Sequence, residues 1–270
     1  MTHIEIAIPS SNRCKLLADT TMKILIENNI KNITIFVSED QVEEYKNNFP
    51  DIKIQGVTTK GIGRARTYIR QYYPVGTKVI MIDDDIQEIC SIEERFTQLS
   101  LIEYFEECFE IMESEDVKFA GFVPYDNEYF MKPGYTLTPK YTGGHLILEV
   151  IRPDPIFVSI NHFEDFVANA LYFLIDKKLL RFNGTYVKTK YFNANGGIID
   201  YYGGRENRKK MATQLANMLT FIFSGLLQTK INKTHDICNL KFKYNFVADD
   251  ETRNKIISSY MFNKDILEED

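Results

Sequence analysis

The chain has 270 residues, with 32 Lys and Arg against 38 Asp and Glu, a formal charge of -6. That balance excludes a protein that coats nucleic acid non-specifically, because neutralising phosphates takes a surplus of cations, although a local basic groove is still compatible with it. A hydrophobic share of 44% and a charged share of 26%, with no low-complexity block, describe a globular chain long enough to bury a substantial core.

Residues Ile4 to Ile8 alternate as a strand that stops at Pro9-Ser10-Ser11-Asn12-Arg13, and an amphipathic helix is expected from about Cys14 to Asn28. Ile33 to Val37 read as a second strand, with Ser38 as N-cap of a helix that runs to about Asn48. Ile52 to Val57 give a third strand, and a helix starting near Gly61-Ile62-Gly63 carries Arg64, Arg66 and Arg70 before Pro74. Strands and helices alternating at this spacing indicate parallel β-α-β units. No GxGxxG follows the first strand and no GxxxxGK[ST] occurs, so a dinucleotide fingerprint and a P-loop are both absent.

The next strand, Val79-Ile80-Met81-Ile82, runs directly into Asp83-Asp84-Asp85. Burying three unpaired carboxylates would cost several kcal/mol each, which puts them at the strand's end, facing solvent, a cation or a basic ligand. Period-2 geometry sends Asp83 and Asp85 to one side and Asp84 to the other. An i, i+2 pair of carboxylates at the carboxyl edge of a sheet makes a hard oxygen site suited to Mg²⁺ or Mn²⁺, with room for phosphate oxygens. The same triplet also reads as a solvated turn that caps the following helix.

Beyond it, a helix is expected from about Leu99 to Glu113, a strand over Phe119 to Val123, and a long Tyr-, Pro- and Gly-rich loop from Pro124 to Gly144. His145 to Val150 and Ile156 to Ile160 look like antiparallel strands, and Phe163-Glu164-Asp165-Phe166 opens a helix to about Ile175. Glycine pairs at 196–197 and 203–204 precede a long helix from about Asn207 to Leu227. Cys14, Cys90, Cys108 and Cys238 are far apart and form no CxxC pair, so reduced thiols are expected. No signal segment opens the sequence, and the most apolar later run, Met218 to Leu227, is too short to cross a bilayer. A cytoplasmic protein without a membrane partner is therefore expected, in the host cell's cytoplasm if the gene is viral.

Ligands of open α/β sheets bind beyond the carboxyl ends of the strands, which brings Pro9 to Arg13, Thr58 to Gly63 and Asp83 to Asp85 to one edge. There Arg13 and the Ser hydroxyls could hold a nucleotide, or Arg13 could be an ordinary exposed residue at a helix start. The Gly61-Ile62-Gly63 helix entry offers free amides, with Arg64, Arg66 and Arg70 adding charge near them. Residues 64 and 70 do not share a helical face with 66, so one or two of the three are expected as ligand contacts. Glu164-Asp165 also fits a plain helix start, and His235 a surface position in a polar loop; His145 and His162 carry less signal still.

The ordered set Ile8-Pro9-Ser10-Ser11…Arg13, Gly61-Ile62-Gly63-Arg64-Ala65-Arg66, Met81-Ile82-Asp83-Asp84-Asp85-Ile86 and the Glu164-Asp165 helix resembles GT-A nucleotide-sugar glycosyltransferases. Within that class, and with the late Gly-Gly segments, it resembles the TET/JBP-associated glycosyltransferases. The resemblance implies an α/β fold of GT-A type. A Rossmann-like, mostly parallel central sheet would be flanked by helices and followed by an antiparallel and helical C-terminal half. A single domain over 1–270 would divide into a nucleotide-sugar and metal half (1–98), an acceptor half (99–245) and a C-terminal tail (246–270).

The resemblance further implies a divalent cation, Mn²⁺ or Mg²⁺, on Asp83, Asp85 and His235. A nucleotide diphosphate sugar, expected as a UDP-sugar, would lie against Pro9, Ser10, Arg13, Gly63, Arg64, Arg66, Arg70, Asp83 and Asp84. Asp165 would be the acceptor-side carboxylate, and the acceptor a hydroxymethylated pyrimidine in DNA. Such a base would be extruded from the stack, where Tyr125, Tyr129 and Tyr135 of the long loop could receive it. A GT-A enzyme acting on a glycan, lipid or protein, and a non-catalytic nucleotide- or partner-binding module, are the alternatives.

Overall fold

The computed structural model describes residues 3–189, 202–232 and 237–264. The chain opens with β1 (Ile4–Pro9), α1 (Cys14–Asp19), α2 (Thr21–Glu27), β2 (Ile33–Ser38), α3 (Val42–Asn48), β3 (Lys53–Val57), α4 (Ile62–Tyr72) and β4 (Lys78–Ile82). It continues through β5 (Ile86–Ser91), α5 (Glu94–Gln98), α6 (Leu101–Ser114), β6 (Phe119–Val123), β7 (Tyr135–Thr136), β8 (Leu146–Val150), α7 (Glu164–Asp176) and β9 (Leu180–Thr189). The last elements are α8 (Arg205–Ile222), an antiparallel pair β10 (Leu227–Asn232) and β11 (Ile237–Phe242), and α9 (Asp250–Asn263).

One 9-stranded sheet runs in the order β3-β2-β1-β4-β8-β6-β9-β5, with β7 added alongside β9. Strands β1 to β4, β6 and β9 point one way, and β8, β5 and β7 point the other. This is the expected α/β architecture, a mostly parallel central sheet flanked by helices. In β4, Val79 to Ile82 are at most 1% exposed, because both faces of the strand are covered. Val79 and Met81 enter a core with Ile69 of α4, Val167 and Leu171 of α7, and Leu219 of α8. Ile80 and Ile82 enter the opposite core, with Leu17, Leu25, Tyr45 and Phe105. Strand alternation therefore assigns residue 83 to the α4 and α7 face and residue 84 to the α1 face.

Several elements depart from the sequence reading. The single helix expected over 14–28 is broken at Thr20, whose φ of -126° and ψ of -98° are not helical. Ile156 to Ile160 form no ladder; Val158 instead exchanges hydrogen bonds with the Thr67 side chain of α4, N–H to Oγ1 and Oγ1–H to O, each 2.9 Å. The late helix ends at Ile222, β10 and β11 follow, and α9 lies within the segment read as a tail. Strands β5 and β9 carry no long apolar run and have no counterpart in the sequence reading. All four cysteines are free. Among the described residues no helix is long and apolar enough to cross a membrane.

Candidate active site

The carboxyl end of β4 lies between two helical layers, and each aspartate of the triplet takes a different partner set. Asp84 turns into the α1 side. It is 5% exposed and accepts from Ser10 Oγ at 2.6 Å and from Arg13 Nη1 at 3.1 Å. Ser10 is itself 2.8 Å from the Tyr45 hydroxyl, which accepts the Arg13 amide at 3.2 Å. Burial pushes the Asp84 pKa up to about 6, against the pull of Arg13 and Ser10. Asp85 lies 3.6 Å from the same Arg13 guanidinium, so Asp84 and Asp85 share it. This differs from the strict alternation expected, because the strand ends at Ile82 and the chain has begun to turn.

Two threonines at the helix break secure that turn. Thr20 Oγ1 is 2.9 Å from the Asp84 carbonyl, and Thr21 Oγ1 donates to the Asp83 carbonyl at 2.7 Å while accepting the Ile86 amide at 3.0 Å. Buried backbone groups without strand partners are thereby satisfied, and the break in the helix is the means.

Asp83 turns to the α4 and α7 side. Its Oδ1 accepts from Arg66 Nη2 at 2.6 Å and its Oδ2 from His145 Nδ1 at 2.9 Å. Burial works to raise the Asp83 pKa, but the Arg66 and His145 partners outweigh it and hold the carboxyl at about 2. His145 responds in the opposite sense. Burial disfavours its charge, yet Asp83, then Asp85 and Asp165, raise its pKa.

The three arginines of α4 divide. Arg64 is half-buried in the first turn. Arg66, 2% exposed, donates Nη2 to the Gly144 carbonyl at 2.6 Å as well as to Asp83, and Nη1 to Glu164. Arg70 belongs to the interior: it holds Glu149 through Nε and Nη2. Glu149 is paired with Val79, at the opposite end of β4 from Asp83, so Arg70 stands away from the carboxyl edge where the sequence placed it. Residues 66 and 70 do share the buried face of α4; carboxylates distant in sequence neutralise it. Gly63 packs so closely that a Cβ there would lie 1.9 Å from the Ile160 carbonyl oxygen, and its amide, expected to face a phosphate, donates to Asn161 Oδ1 at 3.3 Å. Pro9 is the buried last residue of β1.

Asp165 opens α7 beside this cluster. Tyr141, stacked on Phe166 with centroids 3.9 Å apart, donates its hydroxyl to Asp165 Oδ2. A Cβ on Gly144 would come within 3.0 Å of both Arg66 Nη1 and Asp165 Cβ, so that glycine is the spacer between them. Burial raises the Glu164 pKa to about 7, with Arg66 pulling it down and Asp165 pushing it up. Tyr141, Gly144 and Tyr45 have no signal in the sequence reading, which ranks His145 below His235. His145 had a readable signal, since an antiparallel strand starting at 146 opposite Ile82 delivers residue 145 to residue 83.

The donors suit a hard cation in kind: Asp83 and Asp85 offer carboxylate oxygens, and the repulsion from Asp83, after burial itself, holds the Asp85 pKa up. Among the described residues no three His, Cys, Asp or Glu side chains are gathered for a metal. His235 lies outside the described residues. A cation there would take its remaining ligands from substrate and water.

The part of the chain that carries the triplet, Arg13 and Arg66 is similar to a known protein family. Residues 4–125 match the TET-Associated Glycosyltransferase family. The matched stretch holds Arg13, Arg66 and all three aspartates, while His145, Glu164 and Asp165 lie beyond it, and the family name implies a glycosyltransferase. No curated protein matches. Among solved structures, the chain is similar to a cytidylyltransferase from Leptospira borgpetersenii, at 9% identity and a TM-score of 0.43 over 100% of this chain and 98% of that one. It is also similar to a 4-diphosphocytidyl-2C-methyl-D-erythritol synthase from Anaerococcus prevotii, at 12% identity and a TM-score of 0.29. That alignment takes in 49% of this chain and spans 60% of the other's length.

Proposed function

We propose that the protein transfers a sugar from a nucleoside diphosphate sugar, expected as a UDP-sugar, to the hydroxyl of a hydroxymethylated pyrimidine in DNA. The observation that carries this reading is the meeting of two carboxylate groups. The Asp83 to Asp85 turn lies inside the glycosyltransferase match, and Asp165 faces it across Arg66, Gly144 and His145.

In the reaction the acceptor oxygen bonds to the anomeric carbon while the bond from that carbon to the diphosphate oxygen breaks, and the electron pair leaves with the nucleoside diphosphate. If the anomeric centre inverts, Asp165 takes the acceptor hydroxyl proton as the new bond forms. Tyr141 holds the Asp165 carboxylate for that task. Arg13, shared by Asp84 and Asp85, and half-buried Arg64 supply positive charge for the donor's phosphates. A divalent cation on Asp83 and Asp85 would offset charge growing on the departing diphosphate. Exposed Tyr129 and Tyr125 offer rings against which a base could stack.

The test is incubation with a panel of nucleotide sugars, Mn²⁺ and DNA with or without hydroxymethylated pyrimidines, read by mass spectrometry. A hexose or pentose increment only on the hydroxymethylated DNA is expected. Transfer to a free glycan or protein and never to DNA would overturn the acceptor, and no transfer to any acceptor would overturn the activity.

A further inference from the structure

A buried guanidinium with three acceptors is a mechanical part as well as a charge. Arg66 joins Asp83 at the end of β4, the Gly144 carbonyl just before β8, and Glu164 in the first turn of α7. At 2% exposure it cannot swing into solvent, and the planar fork fixes the angle between its two terminal nitrogens. Glu164 precedes Asp165 on the same helical turn, and Gly144, with no side chain, lets Arg66 and Asp165 approach the same backbone. Asp83 and the α7 start are therefore referenced to one side chain, and neither shifts without disturbing the contact to the other.

We propose that Arg66 is a positioning residue that sets the separation between the donor-side carboxylate Asp83 and the acceptor-side carboxylate Asp165, acting on the latter through Glu164. This rests on the roles proposed above for those two carboxylates. Arg66 has a different duty from the phosphate contact expected of it, because both its terminal nitrogens are committed inside the protein. Lys keeps the charge but ends in a single nitrogen, so it cannot hold both carboxylates in one geometry. A misplacement of roughly 1 Å between reacting groups costs on the order of a hundredfold in rate. Water is small enough to find its own approach to the sugar, so donor hydrolysis depends less on that separation than transfer does.

The experiment has two readouts. In thermal unfolding of the metal-free protein, Asp83→Asn and Glu164→Gln are compared singly and together, in the wild type and in an Arg66→Met background, with Arg66→Lys as the background if Arg66→Met does not fold. Non-additive shifts in the wild type that become additive without Arg66 are expected; additive shifts in both overturn the proposal. In the kinetic readout, Arg66→Lys should lower the ratio of sugar transfer to donor hydrolysis by about tenfold or more, whereas equal losses of both reactions overturn the proposal, since a merely unstable protein loses both alike. Wild-type protein that transfers sugar to no acceptor brings down the functional reading and this proposal together. Wild-type transfer with additive shifts or an unchanged ratio brings down this proposal alone.

Discussion

Arg70 Nη2 and Glu149 Oε1 lie 2.6 Å apart, with side chains 1% and 0% exposed, one helical turn beyond Arg66 and at the far end of β4 from the aspartates. Removing one member of such a pair leaves the other as an uncompensated buried charge. Arg70→Ala is expected to cost about 3 to 5 kcal/mol, and the double variant Arg70→Met/Glu149→Leu to recover most of it. Urea unfolding midpoints decide the matter; a single variant as stable as wild type would remove the pair from the core's essential contacts.

Gly63→Ala should destabilise the docking of α4 on the 158–161 segment. The added carbon would meet the Ile160 carbonyl oxygen at 1.9 Å, a backbone atom that cannot rotate away. A loss of roughly 1 to 3 kcal/mol is expected from such overpacking, checked by the same unfolding experiment. An unchanged midpoint would mean that the segment yields without cost.

His162 gives the fold an acid-sensitive element. It is 6% exposed, its Nδ1 has no hydrogen-bond partner among the described residues, and burial, aided by Arg208, depresses its pKa to about 3. The folded state therefore binds this proton more weakly than the unfolded chain. The associated stability is complete above about pH 6.5 and falls as the pH drops toward 3, by about 2 kcal/mol at pH 5. His162→Phe, which does not titrate, should show a shallower acid limb between pH 6.5 and 4. Parallel limbs for the two proteins would contradict this.

Asp85→Asn should abolish transfer and leave the melting temperature unchanged or raised, since Asp85 shares Arg13 with Asp84 and is crowded by Asp83. Loss of one charged ligand is expected to weaken a cation site at least about tenfold, roughly 1.4 kcal/mol. Chelation of the wild-type protein should mimic the variant, and added Mn²⁺ should restore only the wild type. Full activity of the variant, or of the chelated enzyme, would count against a metal on these carboxylates.

Asp165→Asn separates two stereochemical courses. With inversion, turnover should fall about a hundredfold to ten-thousandfold while donor affinity stays within a small factor. With retention the loss should be smaller, because no such base is required. Turnover and donor titration on the one variant distinguish them, and wild-type turnover would take Asp165 off the catalytic list.

Much of this site was legible where the pattern is local. The apolar run of β4 and its period of two were enough to send residues 83 and 84 to opposite helical layers, and the turn at Pro9 to Arg13 was enough to bring Arg13 to the same edge. Arg66 and Arg70 were harder. Four residues apart on α4, they lie on its buried stripe with Gly63, but a charged pair reads as solvent-facing unless its counter-ions are known. Those counter-ions lie 17, 79 and 98 residues away, beyond the reach of any local window. The edge strand β5, with exposed Gln87 and Glu88, lacked the continuous apolar signal of a central strand.

The Asp83 to Asp85 turn has a geometric consequence as well. In the sheet order β8, β6 and β9 stand between β4 and β5. Laid flat, those four interstrand steps would span about 19 Å, yet the chain passes from Ile82 to Ile86, a path of at most about 14 Å. The sheet must therefore coil until its outer edge swings back toward its middle, and the acidic turn, clasped by Thr21 at both ends, is the tether that sets how far. Lengthening that tether by one residue would relax the curvature and scatter the carboxylates in the same stroke, so the arc of the sheet and the address of its charges cannot drift apart.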